Sequence, residues 1–268
     1  MGWQWISGGT TVRGQRHRVA GQVNQDALAS SRTEDGRQVF GAVADGHGAP
    51  QHYRSHVGAS LAVEVAQSVL EETAGFPDDT VVPLLIGEWN HAVDIHRFRD
   101  PVTGNVRHDT RGRVPYGTTL LAARIDETSV RLVQIGDGAI CIGYGDGRIE
   151  VPFEYVPPAG HRVDSLCSYD AVLRARCRTI SDSLRPDFVM LATDGFTESF
   201  RERDAIGEAA NRLRDFIGSD EMDINKALFE CLRNMAEWGN GDDSTIWLAM
   251  RTDSCRTGAN RSDTRANP

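Results

Sequence analysis

The sequence predicts an α+β fold in which helices cover antiparallel sheets. Three observations carry that prediction. Short apolar runs end in glycine-containing turns, as strands do, while other stretches repeat apolar residues every three or four positions, as helices do. These patterns come in blocks: strands, two helices, strands, two helices, then a strand, without the strict alternation of a doubly wound parallel fold. Finally, the connections within the strand blocks read as tight hairpin turns, with Asp137-Gly138 the strongest signal.

The elements follow in chain order. The first segments read as strands. Phe40-Gly41-Ala42-Val43-Ala44 is a buried strand closed by Asp45-Gly46. From about Tyr53 to Thr73, Val57, Leu61, Val65, Val69 and Leu70 give a helix one apolar face. A second helix fits Val82 to Phe98 through Leu85, Trp89 and Val93. Residues 99–114 are polar and glycine-rich, a surface loop. Strands are expected at Gly117–Ile125, Val130–Ile135 and Ala139–Tyr144, with a hairpin at Asp137-Gly138 between the last two. Gly145-Asp146-Gly147 turns the chain into Arg148–Val151. Pro186–Ala192 carries the continuous apolar run of a strand covered on both faces. Helices are expected at Ala205–Phe216 and Ile224–Trp238, and a last strand at Thr245–Met250. The stretch from Thr252 to Pro268 lacks aromatic and almost all aliphatic residues, so a folded domain over 1–251 and a disordered tail over 252–268 are expected.

Composition narrows the function. The chain has 268 residues, 40% hydrophobic and 25% charged, with a formal net charge of −9. Phosphate backbones and anionic membranes repel so negative a protein, which argues against nucleic-acid or membrane partners. There is no apolar run of the ~18 residues needed to span a membrane, and the N-terminus lacks the basic and apolar regions of a secretory signal. Five cysteines, none in a CxxC pair, disfavour a disulfide framework or a thiolate zinc site. A cytoplasmic location is expected.

The acids fall at strand ends. Asp45 follows the strand ending at Ala44; Asp137 and Asp194 each follow a strand by one intervening residue; Asp242 and Asp243 precede the last strand. Any single Asp-Gly is more simply a turn, as Asp146-Gly147 is. At Asp45 and Asp194 the flanks differ: small or apolar residues surround the acid and allow backbone carbonyls close to a ligand. Carboxylates gathered at one edge repel unless a cation neutralises them. All-oxygen ligation suits Mg²⁺ or Mn²⁺ rather than zinc. His47, between Gly46 and Gly48, is expected to face the same site. The other histidines, His17 among them, show no HExxH pattern and receive no catalytic role.

At these residues the chain resembles the protein phosphatase 2C family of metal-dependent Ser/Thr phosphatases, in a bacterial branch that reads Asn-Gln-Asp. The matching segments are Asn24-Gln25-Asp26, Val43 to Gly48 around Asp45-Gly46-His47-Gly48, Gly117-Thr118-Thr119, Ile135 to Gly138, Leu191 to Phe196 and Gly241 to Thr245, all in the family's order. The resemblance implies a four-layer α-β-β-α sandwich of two antiparallel sheets flanked by helices. It implies two, or with a third weaker site three, Mg²⁺ or Mn²⁺ ions. Asp45 would bridge, the Gly46 carbonyl would ligate one ion, Asp194 and Asp242 would hold the other, and Asp26 would support the site. Asp137, with Glu198, matches the third position.

Three departures stand out. Gln25 replaces the family's usual Glu. Gly21 stands where an Arg often grips the substrate phosphate, leaving Arg18, ahead of Arg13 and Arg16, as the substitute. Residues 164–178 do not match the family's flap. The implied chemistry is hydrolysis of a phosphorylated Ser or Thr by metal-activated water, with Asp45 at the centre and His47 as general acid. The partner is then a phosphoprotein, such as a cognate kinase or its target. Alternatives are a catalytically weak phosphatase-like sensor, or a metal-dependent hydrolase of small phosphate esters.

Overall fold

A computed structural model describes residues 3–99, 112–153, 163–200, 203–219, 223–238 and 241–253. Its strands are β1 (Trp3–Val12), β2 (Ala27–Arg32), β3 (Val39–Ala44), β4 (Leu120–Ile125), β5 (Ser129–Ile135), β6 (Ala139–Tyr144), β7 (Ile149–Glu150), β8 (Arg176–Ser181), β9 (Pro186–Ala192) and β10 (Ser244–Asp253). The helices are α1 (Gln15–Val19), α2 (Ser55–Glu72), α3 (Asp78–Arg99), α4 (Ala171–Arg174), α5 (Asp194–Thr197), α6 (Arg203–Ser219) and α7 (Ile224–Trp238). The strands form two five-stranded sheets, ordered β1-β10-β9-β6-β7 and β2-β3-β4-β5-β8, with every pairing antiparallel.

Three apolar layers hold this sandwich. Between the sheets lie Trp5, Val43, Leu121, Leu132, Leu191 and Trp247. On the outer face of the second sheet, α2 and α3 bury Leu70, Leu85 and Trp89 against Ala42, Ala44 and Val133. On the outer face of the first, α6 and α7 bury Ala210, Leu228 and Leu232 against Met190 and Leu248. The two inner faces meet closely at Gly41, where a Cβ would lie 2.1 Å from the indole of Trp247. The indole N–H donates to Ser30 Oγ at 2.9 Å, so its polar atom is satisfied inside the sandwich.

The expected α+β layering is present, and several boundaries differ for physical reasons. Asp137-Gly138 is not a hairpin. Both edges of β5 are taken by β4 and β8, and β6 pairs with β9 and β7, so the chain crosses between sheets here. Gly136 makes the crossing at φ +108°, and the Gln134 side-chain amide braces it by donating to the Gly136 and Gly138 carbonyls. The Gly145–Gly147 turn does join the paired strands β6 and β7. β4 starts at Leu120, because Gly117 to Thr119 instead bind the loop after β3. Helix α3 begins at Asp78 rather than Val82: Asp78 and Asp79 occupy its first turn, where acids favour the helix dipole, and Pro83 is accommodated inside the helix.

The apolar face of α2 also differs in part from the expected one. Of the expected residues Val69 and Leu70 are buried while Val57, Leu61 and Val65 are only partly so; Ala59, Ala62 and Ala66 are fully buried beside them and their small side chains let the helix lie close on the sheet. Residues 164–178 end in a strand, β8, whose short apolar content gave no clear periodicity. Thr252 and Asp253 extend β10 opposite Gln4 and Trp3. The remainder of the predicted tail, and most of the predicted loop at 99–114, lie outside the described residues.

Candidate metal centre

The topology brings the singled-out acids to one end of the sandwich. β3 and β5 run in the same direction, both antiparallel to β4, so Asp45 and Asp137 leave the second sheet at the same end. β2 starts where β3 finishes, which places Asp26 there as well. In the first sheet β9 ends beside the start of β10, bringing Asp194 near Asp242 and Asp243.

Carboxylate oxygens of Asp45, Asp137 and Asp194 all lie within 4.8 Å of one another. The motifs are locked together through backbone. Asp45 N–H donates to Thr119 Oγ1 at 3.0 Å, and Thr119 N–H and Thr118 Oγ1 donate to the Asp45 carbonyl at 2.8 Å each. Gly46 N–H donates to the Gln25 carbonyl, and His47 N–H to the Gly117 carbonyl. Gly46 has no room for a side chain: a Cβ would lie 2.7 Å from the Gln25 carbonyl oxygen and 2.8 Å from the Ser55 backbone.

Asp26 sits beneath this cluster, 9% exposed. Its Oδ2 accepts from Thr193 Oγ1 at 2.9 Å and Thr245 Oγ1 at 2.7 Å, while Oδ1 is buried with no protein partner. A buried carboxylate oxygen without a donor is costly. Burial, aided by Asp243, pushes Asp26 up to about 8, and burial with the Asp194 charge pushes Asp137 up to about 7. Asp45 is raised well above the usual carboxylate range by burial and by Asp26 and Asp194; Asp194 is raised by burial, with Asp242 and Glu198 adding to it. Four carboxyls resisting ionisation at once are a site built for positive charge.

Asp242 lies at the rim, where its Oδ2 accepts from Arg16 at 3.0 Å. Together with Asp45, Gly46, Asp194, His47 and His17 it lines an open cleft of ≈ 820 Å³. His47 packs edge-on to His52 with ring centroids 5.0 Å apart. Burial, then the His52 charge, pushes His47 down to about 4. Arg18 is exposed and outside the cleft lining, whereas Arg16 and His17 line it. Asp243 was named in the sequence only as a strand-end acid without a role of its own, and the hydroxyls of Thr193 and Thr245 were not singled out. Asp243 is buried and gathers α1 and the Gln25 loop to the start of β10. Its only sequence signal is its place beside Asp242.

Residues 13–233 match the family described as protein phosphatase 2C. The chain belongs to that family. With it comes metal-dependent hydrolysis of phosphoserine and phosphothreonine in proteins. No curated protein sequence is detectably similar. Among solved structures, the catalytic domain of the serine/threonine phosphatase PstP, in complex with two manganese ions, is similar at 19% identity and TM-score 0.63, over 94% of this chain and 100% of that one. Serine/threonine phosphatase Stp1 from Staphylococcus aureus matches at 18% identity and TM-score 0.61, over 92% and 95%. PppA of Pseudomonas aeruginosa matches at 18% and 0.61, over 93% and 98%. At these identities the likeness concerns the fold, and it agrees with the two antiparallel sheets and flanking helices of this member of the phosphatase 2C family. Among the described residues no helix is long and apolar enough to cross a membrane.

Proposed function

We propose that this phosphatase 2C domain works through two Mg²⁺ or Mn²⁺ ions held by Asp45, the Gly46 carbonyl, Asp194 and Asp242, with Asp26 in support and Asp137 available to a third. The residues fit such ions: these residues donate oxygen, one buried Asp26 oxygen has no partner among the described residues, and the carboxyls resist carrying their charge unaided. The observation that carries the reading is the convergence of Asp45, Asp137 and Asp194, from three separate strand ends, within 4.8 Å. Bound divalent ions supply Lewis acidity and lower the pKa of water toward neutrality, making the nucleophile.

The chain's own residues then do the following. Asp45 and Asp194 fix the position of attack at the floor of the cleft. His47 donates a proton to the serine or threonine oxygen as it leaves; the dianionic phosphate beside it favours the imidazolium this requires. We assign the phosphate contact to Arg16, which lines the cleft, rather than to Arg18, which is not among the lining residues. Substrates are phosphorylated proteins, among them a cognate kinase or its target, in a bacterial cytoplasm.

The test is phosphate release from a phosphothreonine peptide. Activity is expected with Mn²⁺, lost in EDTA, and reduced at least ~1,000-fold in Asp45→Asn or Asp194→Asn, which remove groups that act on the reacting atoms. Full activity in either variant at an unchanged melting temperature refutes the site.

A further inference from the structure

His17 is absent from the machinery just described, yet its ring is tied to a buried carboxylate. Asp243, 3% exposed, accepts three hydrogen bonds: Gly14 N–H to Oδ1 at 2.7 Å, Gln25 N–H to Oδ2 at 2.6 Å, and His17 Nδ1 to Oδ2 at 2.7 Å. Both carboxylate oxygens already serve as acceptors for backbone N–H groups. The proton in the third bond therefore comes from the ring, so Nδ1 is the donor. In the neutral ring this leaves Nε2 with a free lone pair.

His17 lines the cleft, and its Nε2 lies 3.9 Å from Asp242 Oδ1. Arg16 takes the other oxygen, Oδ2, at 3.0 Å. A carboxylate that fixes the far nitrogen of an imidazole and turns the near one toward a cation-binding acid is the arrangement that orients histidine ligands in metal sites. Two donors on one ion with bonds of about 2.1 Å lie about 3–4.2 Å apart, from right-angled to opposed, and the Nε2–Oδ1 spacing falls within that interval.

We propose that His17 is a nitrogen ligand of the divalent ion on the Asp242 side of the cleft, presented by the buried Asp243 carboxylate. The inference rests on the metal-centre reading above and deepens it: one of the ions sits in a mixed nitrogen–oxygen donor set. Imidazole is a poorer partner for Mg²⁺ than for transition-metal ions, so this side of the centre discriminates against Mg²⁺.

Mn²⁺ bound to the full chain, observed by electron spin-echo envelope modulation, separates the outcomes. A histidine-nitrogen coupling is expected in the wild type. It should change on labelling histidine with heavy nitrogen, persist in His47→Gln, and vanish in His17→Gln. Calorimetric titration of His17→Gln should show Mn²⁺ affinity lowered about tenfold or more, with Mg²⁺ affinity lowered less. The labelling readout needs no variant, so it stands even if a substitution disturbs folding. Mn²⁺ binding without nitrogen coupling overturns the inference and leaves the metal centre intact. So does coupling that survives His17→Gln and disappears in His47→Gln. A wild-type chain that binds no Mn²⁺ overturns both.

Discussion

At the scale of single residues, the site is a set of carboxyls held where they would rather be neutral. The usual aspartate value is 3.8, against about 7 for Asp137 and about 8 for Asp26 in the fold. The folded chain therefore keeps protons that the unfolded chain releases. Stability contributed this way is complete below about pH 4 and is lost as pH rises through about 7 and 8. Melting of the protein in EDTA is expected to fall between about pH 5 and pH 8.5, and Asp137→Asn to flatten that fall and raise the value at pH 8 by at least ~2 °C. Saturating Mn²⁺ should remove the slope. A metal-free melting temperature that is level or rising over this interval contradicts the electrostatic reading. His47 makes a separate prediction. If it protonates the leaving oxygen, His47→Ala should slow hydrolysis of a phosphoserine peptide by about 10²–10⁴-fold while slowing p-nitrophenyl phosphate far less, since that leaving group needs no proton. Equal losses on both substrates remove the role.

At the scale of elements, the packing of the two sheets depends on Gly41 of β3 facing Trp247 of β10. Gly41→Ala is expected to cost about 1–3 kcal/mol by forcing the indole aside, and Trp247→Ala about 3–5 kcal/mol by leaving a cavity, both read from urea unfolding midpoints. A neutral Gly41→Ala places the inter-sheet contact elsewhere. Elements with strong internal patterns were legible: β3, β6, β9 and the helices α2, α3, α6 and α7 all lie where apolar periodicity puts them. What periodicity could not supply was pairing. Asp137-Gly138 has the chemistry of a hairpin, and only the occupied edges of β5 turn it into a crossing between sheets. β8, with one buried residue in six, had too little apolar content to be read as a strand. The inward face of α2 was legible at Val69 and Leu70 and missed at Ala59, Ala62 and Ala66, because alanine can pack closer than the larger residues beside it.

At the scale of the whole molecule, residues far apart in the chain meet because antiparallel strands deliver their ends to one rim. Asp45, Asp194 and Asp242 were legible as candidates through their strand-end positions and the glycines beside them. The hydroxyl clasp of Thr193 and Thr245 on Asp26, and the Asp243 hub, join residues more than 160 positions apart, and no local pattern announces them. The ion pair between Arg16 and Asp242 likewise joins residues far apart in the chain that no local pattern links. The central claim is that this rim holds divalent cations. Anomalous scattering from crystals of the protein soaked in Mn²⁺ tests it most directly. Two strong peaks are expected among the carboxylates of Asp45, Asp194 and Asp242; peaks absent from that rim in fully soaked crystals, or confined to other acids on the surface, contradict it.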